Sequence, residues 1–226
     1  MDTPPKVISC EVVRNEIECV LKDTARELEI EFIDGALHDY PDRLRSELQA
    51  RIDATPGQRE ILLCCGRCSN GTAGLEARAH RLVLPAADDC ISLLLGSRAR
   101  YFEEHSRQPG TYYYTRGWID FIEDPYRIYL KMIPKYGPER SVQVARMILE
   151  HYTRVAVIET PGVPGLEDKR EYLETVSAFY ELPLDYLEGS LRFLRKLVAG
   201  PHDEEFIVVE PGEVLEEARF WALASP

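Results

Sequence analysis

The sequence predicts an α/β fold with a mainly parallel sheet. Short apolar runs alternate along the chain with segments whose apolar residues recur at helical spacing. Most of these runs lack the in-and-out alternation of a half-solvated strand, so we expect helices to cover both faces of the sheet. The chain has 226 residues, of which 45% are hydrophobic, and this is enough to bury a core of that kind.

The first half follows the order strand, helix, strand, helix. A proline in a first-turn position opens the second helix, and Asp88 or Asp89 lies near the start of the third. We predict strands over 7–10, 29–33, 61–65 and 81–84, and helices over 15–24, 41–52 and 88–95.

The second half is less regular. A β-branched and aromatic run predicts extended chain over 111–115, and Gly137-Pro138 separates two helices. Further predictions are helices over 126–136, 139–152, 166–182 and 190–198, strands over 155–158 and 206–209, and a loop over 160–165. No repeat or low-complexity linker marks a boundary, so we predict a single α/β domain over residues 1–226. Two lobes divided near 117–125 are the alternative.

Charge and hydropathy limit the partners. The chain carries 27 Lys and Arg against 39 Asp and Glu, and its net charge of −12 repels a phosphate backbone, so nucleic acid is not an expected partner. No apolar run approaches the roughly 18 residues of a membrane span. Residues 1–5 lack the basic start and apolar stretch of a signal peptide. We therefore expect a cytoplasmic protein without a membrane partner.

Six cysteines are the most informative residues. In a reducing compartment they predict metal binding or catalysis, with thiols packed as small hydrophobic groups as the alternative. Ligands of an open parallel sheet bind beyond the carboxyl ends of its strands. Those ends carry a thiol or an imidazole after each of the first four strands, namely Cys10, His38, Cys65 with Cys68, and Cys90. We therefore predict a Rossmann-like layered sandwich with its site at this edge.

Thiolates and imidazole are ligands of zinc or of an iron–sulfur cluster. We predict a zinc site with an iron–sulfur cluster as the alternative. Four ligands close such a site, whereas three leave a place for water or a substrate thiol. Cys19 lies within a helix, and of the adjacent pair Cys64 and Cys65 at least one is expected in the core. The predicted ligands are Cys10, His38, Cys68 and Cys90, with Cys65 in reserve.

Two segments after the thiols are candidates for contact with a cofactor. Asn70 and Gly71 begin a turn whose backbone amides would approach a phosphate, although a tight turn explains the same residues. Tyr113 and Trp118 would form a wall over a flat ligand or a methylammonium group, although an aromatic core strand explains them too. The chain contains no complete dinucleotide, P-loop or nucleophile-elbow motif.

Four segments in this order form a distinctive set. They are 37–44, which contains His38; 65–71, which contains Cys65 and Cys68; 82–97, which contains Asp-Cys-Ile-x-Leu-Leu-Leu-Gly-Ser; and 109–118, which contains Pro-Gly-Thr-Tyr-Tyr. Together they resemble the uncharacterised family called domain of unknown function 1638, over roughly residues 5 to 210. The family pattern maps onto Cys10, His38, Cys68 and Cys90, and the chain departs from it at Cys64-Cys65, where Tyr followed by Gly is more usual.

The resemblance implies a setting in anaerobic one-carbon metabolism, because similar proteins often occur near corrinoid-dependent methyltransferase systems. We therefore expect a metal-binding protein that acts as a zinc-dependent thiol or corrinoid-linked methyltransferase. Its expected partners are a small thiol or a methylated substrate, and a corrinoid protein. The corrinoid-carrier signature DxHxxG is absent, since Asp34 and His38 have the wrong spacing. A non-catalytic protein that loads metal or corrinoid and an iron–sulfur redox protein are the alternatives.

Overall fold

The chain folds into two sheets whose strands are separated by helices. The structure is a computed structural model that describes residues 3–222, so both ends of the domain predicted over 1–226 lie outside the described part. The strands are β1 (Lys6–Cys10), β2 (Glu29–Ile33), β3 (Glu60–Cys64), β4 (Arg81–Pro85), β5 (Thr111–Tyr114), β6 (Arg154–Glu159), β7 (Leu184–Glu188) and β8 (Phe206–Val209). The helices are α1 (Arg14–Asp23), α2 (Pro41–Asp53), α3 (Cys90–Leu94), α4 (Arg98–Arg107), α5 (Arg116–Phe121), α6 (Pro125–Tyr136), α7 (Pro138–Ile148), α8 (Arg170–Tyr180), α9 (Arg192–Ala199) and α10 (Ala218–Ala222).

The larger sheet has the strand order β2-β1-β3-β4-β8. Its first three pairings are parallel, and β8 closes the edge antiparallel to β4. In register, Val7 of β1 lies between Ile30 of β2 and Leu62 of β3. The chain therefore runs from β1 to β2 on one side and returns to place β3 on the other, which makes the carboxyl ends of β1 and β3 neighbours. The predicted α/β fold with a mostly parallel sheet is confirmed, with one antiparallel pair.

Helices cover both faces of the larger sheet, as the continuous apolar runs predict. On one face, Ile61 and Leu63 pack with Leu48 of α2. On the other face, Leu62 packs with Phe193 of α9 and with residues of α1. All of these side chains are essentially inaccessible to solvent. Removing such apolar surface from water is the main driving force for this layering.

The second sheet, of order β5-β6-β7, is entirely parallel and is not predicted from the sequence. The runs 111–115 and 155–158 are extended as predicted, but β7 lacks an apolar run. Its five residues, Leu-Asp-Tyr-Leu-Glu, are exposed or only partly buried because the strand forms an edge. The strand is therefore recognisable only from its pairing with β6.

The helices agree with the predicted segments within a few residues, except for two segments and for three helices that were not predicted. The segment predicted over 166–182 is a 3₁₀ turn, Glu167–Lys169, followed by α8, and the helix predicted over 139–152 ends at Ile148. The helices that were not predicted are α4, α5 and α10. Of these, α4 is polar around most of its circumference and is capped by Ser97, whose side chain accepts a hydrogen bond from Arg100 N at 3.1 Å. Among residues 3–222, no helix has both the length and the apolar character needed to cross a bilayer.

Candidate functional site

Three predicted thiols come together beyond the carboxyl ends of the larger sheet. Cys10 ends β1, Cys68 lies in the loop after β3, and Cys90 is the first residue of α3 after β4. Burial raises the pKa of the Cys68 thiol to about 12, and the nearby Cys10 is the next cause. Burial also raises the pKa of Cys90, to which Asp89 and then the other two thiols contribute. The pKa values of Cys68 and Cys90 are thus influenced by the other thiols, so the three lie near one another at this edge of the sheet.

The thiols approach the sheet edge from two sides. Cys10 and Cys68 pack against the core that faces α2, whereas Cys90 packs against the core on the opposite face. All six cysteines of the chain are free thiols. Within residues 3–222, no group of three or more His, Cys, Asp or Glu side chains is arranged so that it could hold a metal ion.

His38 lies beside this cluster, in the 3₁₀ turn Gly35–Asp39 that follows β2. Its Nδ1 is 2.7 Å from the carbonyl oxygen of Gly35, and its Nε2 is 3.1 Å from the Asp39 carboxylate. Gly35 is close to the thiols, since a Cβ at this position would lie 3.9 Å from Cys10 Sγ. The imidazole is thus tethered to the first residue of a turn that begins beside Cys10, and its second nitrogen faces Asp39.

The loop that carries Cys68 has an unusual backbone. Cys68, Ser69 and Asn70 have φ angles of 46°, 54° and 68°, so three successive residues other than glycine are left-handed. Each such residue costs roughly 1–2 kcal/mol, and strain of this kind concentrates at functional sites. The loop is held in place by hydrogen bonds to the loop after β4, from Arg67 N to Ala87 O at 2.8 Å and from Cys68 N to Asp88 O at 3.0 Å.

Gly66 allows these two loops to approach each other. A Cβ at this position would lie 2.8 Å from both Ala87 O and Asp89 N, which are backbone atoms that cannot rotate away. The Asp89 side chain caps α3 by accepting hydrogen bonds from the backbone of Ile91 and Ser92 at 3.0 and 3.1 Å. The positions of Cys68 and Cys90 are therefore coupled through the backbone.

We expect Ser69→Gly to raise the free energy of unfolding by about 0.5–1 kcal/mol, since glycine adopts positive φ without a steric penalty. Ser69→Val should lower it by about 1–2 kcal/mol, because a β-branched residue fits this conformation poorly. Ser69 is exposed, so neither change removes a packed side chain. Urea unfolding measures both effects. The matched control is Ser106→Gly on the exposed surface of α4, which should lower the free energy of unfolding because glycine is unfavourable in a helix. If glycine changed the free energy of unfolding in the same direction at both positions, the prediction would be contradicted.

The two residues predicted to contact a cofactor in this loop have other partners. The Asn70 side chain donates a hydrogen bond to the Glu217 carboxylate at 2.9 Å, and the backbone carbonyl of Asn70 accepts one from the Arg45 side chain at 2.8 Å. The Gly71 amide donates to Cys68 O at 2.9 Å, and a Cβ there would lie 2.5 Å from a methyl carbon of Leu44. Both contacts favour the tight-turn interpretation.

The aromatic segment divides between two cores. Tyr112 and Tyr114 belong to the core of the second sheet, while Tyr113 packs against the core of the larger sheet. Trp118 donates a hydrogen bond from Nε1 to the Tyr112 hydroxyl at 3.3 Å, and its ring centroid lies 5.1 Å from that of His38. Trp118 is therefore the aromatic side chain of this segment that borders the predicted site.

The remaining cysteines occupy separate environments. Cys64 and Cys65 are both buried and face opposite cores, as alternation along a strand predicts. Cys19 is partly exposed and donates a hydrogen bond to Gly162 O at 3.3 Å. His80 is buried far from these thiols in the sequence, and its Nδ1 accepts a hydrogen bond from the Arg59 amide at 3.3 Å.

Glu16 is a titratable residue near these elements that was not predicted as a site residue. This glutamate is 3% exposed, its Oε2 has no hydrogen-bond partner within residues 3–222, and burial raises its pKa to about 7. It lines a cavity of about 430 Å³ beyond the carboxyl ends of β6 and β7. A signal was present, because Val13, Glu16, Ile17 and Val20 have the i, i+3, i+4, i+7 spacing of a buried stripe, in which Glu16 is the charged member.

Comparison with known proteins gives one match. Residues 32–198 match the family described as "Protein of unknown function (DUF1638)", which is the family that the four segments predict. The matched part contains His38, Cys68 and Cys90, and begins after Cys10 and Glu16. No curated protein and no solved structure matches the chain.

Proposed function

We propose that this chain, which belongs to the DUF1638 family, is a zinc protein with a site at the carboxyl ends of the first strands. The observation that carries the proposal is the gathering of three thiols from three different strand ends. It is supported by the strand order, because the direction of winding reverses between β1 and β3, and open, Rossmann-like sheets bind ligands at such a reversal. The proposed ligands are Cys10, His38, Cys68 and Cys90.

The chemistry of the donors suits zinc. Sulfur and imidazole nitrogen are its usual ligands in proteins, and a divalent cation would remove the mutual repulsion of neighbouring thiolates. Hydrogen bonding of His38 Nδ1 to Gly35 O matches the outer-shell contact that commonly orients a metal-binding imidazole. Ligation requires Nε2 to exchange the Asp39 carboxylate for the metal. The strained loop at Cys68 would supply a thiol whose position changes little on binding.

The proposed reaction is transfer of a methyl group to a small thiol. Bound zinc lowers the pKa of a thiol that coordinates it, which provides a thiolate nucleophile at neutral pH. The thiolate uses its electron pair to form the new sulfur–carbon bond. The bond between the methyl carbon and its donor breaks, and that electron pair stays on the donor, which is a methylated compound or a corrinoid. For catalysis the three cysteines would hold the zinc, and His38 would yield the fourth place to the substrate thiol.

The zinc content of anaerobically purified protein tests the proposal. We expect elemental analysis to find one zinc per chain, with no visible absorption. Cys10→Ser and Cys90→Ser should each lose the metal. No stoichiometric metal in the unmodified chain, with both variants folding normally, would overturn the site. A visible absorption band accompanied by iron would replace zinc with an iron–sulfur cluster at the same ligands.

Variants of two histidines test the fourth ligand. His38→Ala should weaken zinc binding by at least the roughly 10- to 100-fold typical of losing an outer-shell partner. His151→Ala is the matched control, because His151 is exposed and lies outside the strand ends. Competition with a chromophoric chelator measures both affinities. Equal effects of the two substitutions would remove His38 from the proposed ligands.

A further inference from the structure

A second site lies at the carboxyl ends of the smaller sheet. The cavity of about 430 Å³ is lined by the ends of β6 and β7, by the loop 160–165 and by Glu16 of α1. This volume is within the range of about 300–1,000 Å³ that is usual for small-molecule sites. Apolar side chains form part of its wall, including Val163, Leu166 and Leu187. None of the four proposed zinc ligands lines it, so the two sites are separate.

The Glu16 carboxyl at this cavity has an oxygen without a hydrogen-bond partner among residues 3–222. Its helix places it in the buried stripe, so the carboxyl cannot turn to bulk solvent, and Oε2 accepts no hydrogen bond from residues 3–222. A buried polar group left unsatisfied destabilises the fold, and more so when it is charged. Thr160, also at the cavity wall, has a buried hydroxyl that likewise lacks a partner within the described chain. Two such groups at one cavity point to a ligand that satisfies them.

The charges around the cavity indicate the charge of that ligand. Its two guanidinium groups are already neutralised: Arg116 is 2.6 Å from both Asp120 and Asp168, and Arg170 is 3.1 Å from Glu159. Two further carboxylate residues of the wall are Glu167 and Glu188. Because carboxyl groups outnumber guanidinium groups, the cavity favours a cation over an anion.

We propose that this cavity binds a small amphipathic amine. The ammonium group would donate a charge-assisted hydrogen bond to Glu16 Oε2 and a second one to the Thr160 hydroxyl oxygen. The hydrocarbon part would pack against Val163, Leu166 and Leu187. Glu16 is thus the specificity-determining residue of this site.

Three probes with one hydrocarbon body and different head groups test the proposal: benzylammonium, benzyl alcohol and benzoate. Isothermal titration calorimetry of the full chain at pH 8 measures their affinities. We expect benzylammonium to bind at least 10-fold more tightly than benzyl alcohol, and benzoate to bind more weakly still. Comparable binding of amine and alcohol, or a preference for benzoate, would overturn the proposal.

Two isosteric variants of α1 locate the binding. Glu16→Gln should weaken benzylammonium binding by about 10- to 100-fold, the range expected for loss of a hydrogen bond to a charged group, and should leave benzyl alcohol unaffected. Glu18→Gln is the control, because Glu18 is on the same helix but pairs with Arg14 at 3.5 Å. Equal affinities of the Glu16→Gln and Glu18→Gln variants for benzylammonium would overturn the assignment of the site to Glu16.

A third variant tests the other unpartnered group of the cavity wall. Thr160→Val removes the buried hydroxyl and should weaken binding of the amine by roughly 2- to 10-fold. Unchanged binding in this variant, together with unchanged binding in Glu16→Gln, would place the amine elsewhere. Zinc content should be the same in all three variants, so failure of the amine site is distinguishable from failure of the zinc site.

Discussion

Zinc binding by this chain is expected to strengthen by about 100- to 1,000-fold for each unit of pH between 6 and 8. Burial raises the pKa of Cys10 to about 11 and that of Cys68 to about 12, and it also raises the pKa of Cys90. All three groups are therefore protonated thiols throughout this window in the metal-free protein. Because ligation requires thiolates, each bound sulfur releases one proton, and each released proton contributes a factor of ten per pH unit.

The sign follows from the direction of these shifts. The thiolate is the form that binds zinc, and its fraction increases with pH until the pH exceeds the pKa of the thiol. Because burial raises the pKa of Cys10 to about 11, zinc affinity should increase with pH and should not level off below about pH 11. Two released protons give the lower limit of the slope and three give the upper limit. A thiol already ionised at neutral pH would add nothing to it.

Chelator competition at pH 6, 7 and 8 measures the slope, after correction for protonation of the chelator. Calorimetry in buffers of different ionisation enthalpy counts the released protons independently. Cys90→Ser should lower the slope by one proton and weaken binding by at least 100-fold, whereas Cys19→Ser should leave both unchanged. A pH-independent affinity would contradict thiolate ligation and would favour ligands that are already ionised.

The convergence of the thiols is predictable from sequence because it depends on a regular property of parallel sheets. Each strand of the first half is a short apolar run, and the carboxyl ends of parallel strands meet at one edge. Placing Cys10, Cys68 and Cys90 after three such runs was sufficient to assign all three to that edge of the sheet. The order of the strands was not needed for that prediction.

Features that depend on tertiary packing were not predictable in the same way. The orientation of His38 is determined by Gly35, Asp39 and Trp118, which meet it only in the folded chain. The strand β7 has too few apolar residues to be recognised before it pairs with β6. Burial of Glu16 arises where α1 packs beside the loop 160–165, from a part of the chain far away in sequence.

Glu16→Gln is expected to raise the free energy of unfolding by about 3 kcal/mol at pH 8 and to have little effect at pH 4. Burial raises the folded-state pKa of Glu16 from 4.5 to about 7. Between these values the native chain binds more protons than the unfolded chain, so stability falls as pH rises through the window. The cost is absent below pH 4.5 and complete above pH 7, and a shift of this size corresponds to about 3 kcal/mol. Glutamine is never ionised, so it avoids the cost.

Urea unfolding at pH 4, 6 and 8 measures this difference, with Glu18→Gln as the control that should show no such pH dependence. A stabilisation that is equal at all three pH values would contradict the assigned pKa. Glu16 would destabilise the native chain at neutral pH, and such a residue is retained at a site where its charge is needed for binding. Function and stability commonly oppose each other at functional sites. Saturating benzylammonium should therefore stabilise the unmodified chain at pH 8 and should add little to Glu16→Gln, because the amine supplies the partner that the buried carboxylate lacks.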